Sequence, residues 1–182
     1  MMLRALVFAL LAAAPTVVST SWVDGEMGYR VTVAPADSAA ARHGLHLGDI
    51  LAEPQPLPQR LADAGPGGVE IPLYRLDTTK GIYQATRLNI VFRDDEEHRL
   101  GTTGDLGFLV TAGKRGTLGA RAELKPGDFI PRIDDTFVHG VDDLKLVDVA
   151  YDKGEQVLIH FTRWVPESAS FTNAVSRRTF AK

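Results

Sequence analysis

"GDLGFLVT", Gly104 to Thr111, has a near-copy in "GEMGYRVT", Gly25 to Thr32. Sliding the chain by 79 positions puts Gly25 on Gly104, Gly28 on Gly107, Val31 on Val110 and Thr32 on Thr111. The same shift holds without a gap as far as Ala52, matching Ala41 to Ala120, Arg42 to Arg121, Leu45 to Leu124, Gly48 to Gly127 and Asp49 to Asp128. A second block, "VEIPLYR" at Val69 to Arg75, matches "VLIHFTR" at Val157 to Arg163 with a shift of 88. The chain is therefore two copies of one unit, the second longer by nine residues between its blocks. A repeat of this kind sets the architecture before any single element is assigned.

Each copy reads as mainly β. "GYRVTVA" and "GFLVTA" are β-rich runs behind glycines. "HGLHLGDILAEP" and "AELKPGDFIPRI" place a tight turn at Gly-Asp before an apolar strand. Val141 to Asp152 has helical spacing, with Val141, Leu144, Val147 and Tyr151 on one stripe. Asp142 and Asp143 suit its first turn and Gly154 its end. "EQVLIHFTRW" then alternates as a strand. In the first copy, prolines and a glycine pair between Gln55 and Gly68 leave room for a short helix from Pro58 to Ala64. "LDTTKGIYQATRLNIVF" reads as a hairpin around Thr79-Lys80-Gly81, and "RDDEEHR", Arg93 to Arg99, as an exposed linker.

The stretch "LGFLVTA…AELKPGDFIPRIDDTFVHGVDDLKLVDVAYDKGEQVLIHFTR" resembles a bacterial PDZ domain of the kind attached to periplasmic HtrA-type proteases. Leu124-Lys-Pro-Gly-Asp128 followed by Ile130-Pro-Arg-Ile133 is its most specific part. The likeness covers nearly all of Gly104 to Arg163 and extends more weakly over Gly25 to Phe92. It implies an α+β chain of two small, partly open β-barrel or sandwich modules in tandem, each with one or two short helices. The expected organisation is a leader at 1–21, a degenerate PDZ-like domain at 22–92, a linker at 93–101, a PDZ-like domain at 102–165 and a tail at 166–182. That tail is read either as a frayed end or as a segment that docks.

Such modules bind an extended peptide as an added strand beside a helix. By resemblance, Leu106, Gly107 and Phe108 form the loop for a terminal carboxylate, and Leu109, Val110 and Thr111 lie on the pairing strand. Val141, Leu144 and Lys145 face the groove from the helix. Asp105 lies beside that loop, as Glu26 does in the first copy, and a like charge there opposes a carboxylate. His98 or Arg99 stands close enough in sequence to offset it. The opposing possibility is that these residues only build the fold. The shortened helix of the first copy marks that copy as structural or as docked on the second.

Composition bounds the rest. With 20 basic and 23 acidic residues, a net charge of −3 gives no reason to expect nucleic acid as a partner. Arg4 followed by "ALVFALLAAA", Ala5 to Ala14, has the form of a secretory signal peptide, cut near Ser19 to Ser21. The alternative is an uncleaved anchor, for which the apolar run is short. The mature chain then lies in the periplasm or outside the cell, with no membrane span. There is no cysteine, hence no disulfide or thiolate chemistry. No serine occurs between Ser38 and Ser168, so a serine protease triad has no nucleophile there. His43 and His46 are spaced for one helix face but lack further metal ligands nearby, and no cofactor is expected. The sequence thus points to a non-enzymatic adaptor or scaffold. Its partners would be protein C-termini, exposed strands or an envelope protease. The rival readings are a regulatory partner or remnant of a serine protease system, and a purely structural subunit.

Overall fold

The computed structural model describes residues 17–52, 57–93, 97–113 and 118–179. Most of the leader expected at 1–21 lies outside the described residues. Its last part does not: Val18–Ser19 form a first strand, β1, paired with the next. The first copy continues with β2 (Val23–Val33), α1 (Ala39–Arg42), β3 (Ile50–Ala52), α2 (Leu57–Ala62), β4 (Val69–Asp77) and β5 (Ile82–Ile90). The second contains β6 (Thr103–Gly113), α3 (Leu118–Arg121), β7 (Phe129–Ile133) and β8 (Thr136–Phe137). A 3-10 turn, Val141–Leu144, leads into α4 (Lys145–Lys153), and β9 (Gln156–Val165) and β10 (Ser170–Thr179) follow. The structure is mostly β, with few helices and one curled antiparallel sheet shaped as a half-barrel. The strands run in the order β10-β9-β7-β6-β2-β3-β4-β5.

The two glycine phrases pair with each other at the centre of that sheet. Gly28 lies opposite Gly107, Met27 opposite Phe108 and Tyr29 opposite Leu106. Each pair is made of repeat-equivalent positions read in opposite directions, so a pseudo-two-fold axis passes between Gly28 and Gly107. Irregularities in register fall symmetrically, between Asp24 and Gly25 at one end and between Val31 and Val33 at the other. The outer pairings obey the same axis: Tyr29 faces Leu51 in the first half as Phe108 faces Ile130 in the second.

Glycine is required where these two strands touch. A Cβ on Gly25 would sit 2.1 Å from the Leu109 carbonyl oxygen, and one on Gly104 would sit 2.1 Å from that of Arg30. Both distances are inside any real contact, and backbone cannot move aside cheaply. The repeated phrase is thus the seam between the copies.

Each half carries its own core on one face of the sheet. The first holds Val31, Leu51, Leu57, Leu61, Ile71 and Leu73. The second holds Phe108, Ile130, Leu144, Val147, Val157 and Ile159. The chain crosses between them: Trp22 and Val23, entering β2, are buried in the second core, and Leu100, ahead of β6, is buried in the first. On the other face Ile50, Leu109 and Phe129 form a third cluster under Tyr74 and Tyr83. Arg30 spans its edge, with its guanidinium over the Phe129 ring at 5.3 Å.

Both halves also repeat a buried ion pair. Asp49 accepts from Arg75 Nε at 3.0 Å and Nη2 at 2.6 Å, and Asp128 accepts from the same atoms of Arg163 at 2.6 Å each. Each aspartate also accepts the backbone N–H three residues back, from His46 or Lys125, at 2.8 Å. The Gly-Asp turn that presents it needs left-handed backbone at Gly48 (φ 88°) and Gly127 (φ 94°). This satisfaction of a buried carboxylate explains why Gly-Asp and the distant arginine recur together.

Several expectations meet this architecture. The hairpin around Thr79-Lys80-Gly81 is β4–β5. It is not peculiar to the first copy, because β9–β10 is its counterpart. The tail expected at 166–182 is in large part β10, in register with β9 from Ser170 opposite Val165 to Thr179 opposite Gln156. Its Phe171 packs edge-on against Trp164 at 5.1 Å, which anchors it. The described residues of the charged linker are exposed up to Arg99, after which Leu100 turns inward. The first-copy helix is short, Leu57–Ala62. The second begins as the 3-10 turn at Val141 and ends at Gly154, whose left-handed backbone (φ 73°) closes α4.

Candidate functional site

The residues expected to bind a peptide in the second half are brought onto two elements that no longer face an empty groove. Leu106, Gly107, Phe108, Leu109, Val110 and Thr111 lie in the middle of β6. β2 occupies one edge of that strand, and β7 occupies the other at Phe108 and Leu109. The backbone N–H of Val110 donates to Asp128, and its carbonyl accepts from Gly127. No strand can add along Phe108 to Val110, because both edges already carry backbone partners. Gly107 sits on the pseudo-axis, where a Cβ would lie 2.7 Å from the Ile130 carbonyl oxygen and from the Phe129 ring. Its lack of a side chain serves packing, not a carboxylate.

The helix residues part company as well. Leu144 is buried in the second core, and Val141 is half-buried at the start of the 3-10 turn. Lys145 is exposed, with Nζ 2.6 Å from an Asp142 carboxylate oxygen; that contact raises the lysine pKa and lowers the aspartate's. The place beside α4 is filled by the chain itself. β1 pairs with β2, Val18 opposite Gly25 and Ser19 opposite Asp24. Ser21 Oγ donates to Asp148 on α4, and fully buried Trp22 belongs to the same core as Leu144 and Val147.

An open cleft lies in the first half. It has a volume of about 710 Å³ and runs between α2 and the β2–β6 seam. Leu57, Pro58 and Leu61 line it from α2, Tyr29 and Leu51 from the sheet, and Leu106 from β6. Leu100, Gly101 and Thr102, leading into β6, form the far side. The floor is thus apolar. The basic side chains among its described lining residues are those of His98 and Arg99, both at the rim. Burial raises the Tyr29 phenol pKa, and a hydrogen bond with Thr102 works the other way.

The two halves differ here for a readable reason. At the shift of 79, Val18-Ser19-Thr20 falls on Glu97-His98-Arg99, and Trp22 falls on Gly101. Around Thr20 the first segment turns back to pair with β2: its N–H donates to the Val23 carbonyl at 2.9 Å, and its Oγ1 accepts from the Val23 N–H at 3.0 Å. Its charged counterpart stays solvated, with His98 stacked on Phe92 at 4.9 Å and Arg99 paired to Glu97 at 3.2 Å. Neither offsets Asp105, which pairs instead with Arg30 across the seam at 3.2 Å. Glu26, its equivalent, is buried and accepts from the Tyr74 hydroxyl, and burial first and then this carboxylate push the phenol pKa upward.

Of the residues lining this cleft, the sequence reading singled out Leu106, as part of a carboxylate loop in the second half, and did not single out Tyr29, Leu57, Leu61 or Leu100. The signal was present in the repeat: a tryptophan stands in one copy where the other has glycine. His43 bonds the Val91 carbonyl at 2.8 Å, and among the described residues no group of three metal-ligating side chains forms. No protein-family model matches the chain, and no curated protein does.

Proposed function

We propose that the chain is a non-enzymatic peptide- or protein-binding adaptor or scaffold, exported to the periplasm or beyond and built of two PDZ-like halves. The observation that carries this reading is the apolar cleft beside α2, an indentation suited to an inserted side chain. The resemblance of Gly104 to Arg163 supports the same class of activity, although fold likeness alone does not assign function. The binding place differs from the one the sequence favoured. It is the first half, with its seam strand borrowed from the second, because the second half's groove is filled by β1 and Trp22; this reading requires any leader cut in the exported chain to fall ahead of Val18 rather than near Ser19 to Ser21. That filled groove favours a second reading for the second half, as a structural support.

Binding is tested by capture from envelope extract with the full exported chain as bait. Ala62 is exposed and lines the cleft, so Ala62→Arg adds bulk and charge at its mouth. Val149→Arg on the outer face of α4 is the control. The account expects the same identified protein with wild type and control, and its loss with Ala62→Arg. Equal capture by all three, or capture by none, contradicts the proposal.

A further inference from the structure

We infer that the first-half cleft takes an internal, extended segment of a partner protein, which adds as a strand to β6 at Gly104. It inserts one large apolar side chain beside α2 and sets an acidic residue against His98 and Arg99. The inference rests on the binding reading above and names its ligand class and mode.

The seam supplies the template. In the second half, β1 pairs with the edge of β2 that faces away from β6, with Val18 opposite Gly25 and packed on the second core. Under the pseudo-axis the corresponding place is the edge of β6 at Thr103 and Gly104. Among the described residues no strand pairs with that edge, since β7 meets β6 only at Phe108 and Leu109. Val110 turns its N–H and carbonyl toward β7. Alternate residues of a strand repeat that direction, so Leu106 and Gly104 present theirs to the same open edge. Asp24 and Gly25 are half-buried and buried under β1, whereas Thr103 is exposed and Gly104 only half-buried.

The occupant's chemistry follows from what the place lacks. A residue paired with Gly104 turns its side chain to the face that carries Leu106, hence into the cleft. Gly101 stands where the other copy has Trp22, and the cleft beside it has a volume of about 710 Å³. A tryptophan or phenylalanine suits that volume. At the rim Arg99 is held by Glu97 at 3.2 Å, but both side chains are exposed and such a pair is weak, so a carboxylate next to the inserted residue can take Glu97's place. β1 runs on through Thr20 into β2, so the template carries no free C-terminal carboxylate and none is needed.

The test titrates the full chain with acetyl-Thr-Glu-Trp-Thr-Val-amide by calorimetry and by NMR. Both ends are blocked. The expected result is binding, with the Gly104 and Leu106 amide signals shifted and that of Gly25 unmoved. Replacing the peptide's Trp with Ala, its Glu with Lys, or methylating the Trp nitrogen should each weaken binding, the last by about tenfold or more because it leaves the Gly104 carbonyl unpaired. Binding that tolerates N-methylation overturns strand addition, as does a shift at Gly25 in place of Gly104. Binding that requires an unblocked C-terminus overturns the internal-segment assignment. Absence of peptide binding overturns this inference alone if Ala62→Arg still abolishes capture from extract. If capture fails too, the binding reading falls with it.

Discussion

His160 shows how a single residue of this protein answers to pH. It sits on β9 with Arg132 Nη2 3.1 Å from its Nδ1 and 3.2 Å from its Nε2. Burial, then the Arg132 charge, lowers its pKa from the ordinary 6.5, while Asp134 and Asp135 act in the opposite sense. The unfolded chain therefore binds a proton that the folded chain refuses. Stability is full above the ordinary histidine pKa and declines as pH falls from about 6.5 toward the lowered folded value. Urea midpoints measured between about pH 7 and pH 5 should drop for wild type and stay flatter for His160→Gln. A wild-type profile that matches the variant's contradicts this account of the contact. At the same scale, Asp49 and Asp128 were legible as repeated positions. Their function was not, because the arginine that each one meets lies 26 or 35 residues away.

Among the elements, β1 and the turn after it decide which half is open. Strands β2 and β6 are alike in length and glycine spacing, but what precedes them differs: Val-Ser-Thr-Ser-Trp in one case, Glu-His-Arg-Leu-Gly in the other. The first folds back and buries its tryptophan; in the second, Glu97, His98 and Arg99 stay exposed and Leu100 turns inward. Trp22→Ala should cost about 3–5 kcal/mol of unfolding free energy, the range for truncating a buried aromatic. The second core would lose that side chain, and binding at the first-half cleft should persist under native conditions. Chemical denaturation checks the loss, and a cost below about 1 kcal/mol would mean the indole is not part of the core. The two longer helices and the β4–β5 hairpin were readable from pattern, whereas the four-residue helices α1 and α3 were not. Val141 to Gly154 has helical spacing and a glycine stop, and Thr79-Lys80-Gly81 marks a turn. β1 was not readable, because a two-residue strand that follows the apolar run Ala5 to Ala14 has no periodicity of its own. β10 was weak in sequence for a related reason: its alternation is polar, and its order comes from pairing with β9.

For the whole molecule, the repeat was plain in the sequence and its consequence was not. Two similar strands can belong to two separate modules or can pair with each other, and no local propensity distinguishes the cases. What distinguishes them is the fit of the glycines. Gly25 and Gly104 admit the opposite backbone, and Gly28 meets Gly107 on the axis. The seam makes each half depend on a strand from the other, and the first-half cleft is bounded by α2 on one side and Leu106 on the other. A reading that kept each copy to itself favoured the second half's groove, whereas the cleft beside α2 is lined from both copies. The most direct test is the set of Hα–Hα NOEs across the seam in the monomer. Phe108 and Leu106 direct their backbone groups toward β7, so their pairs with Met27 and Tyr29 are the narrow ones, with Cα atoms about 4.5 Å apart. Strong Met27–Phe108 and Tyr29–Leu106 cross-peaks are predicted. If they are missing, or arise only between differently labelled copies, the two repeats do not form one sheet within one chain.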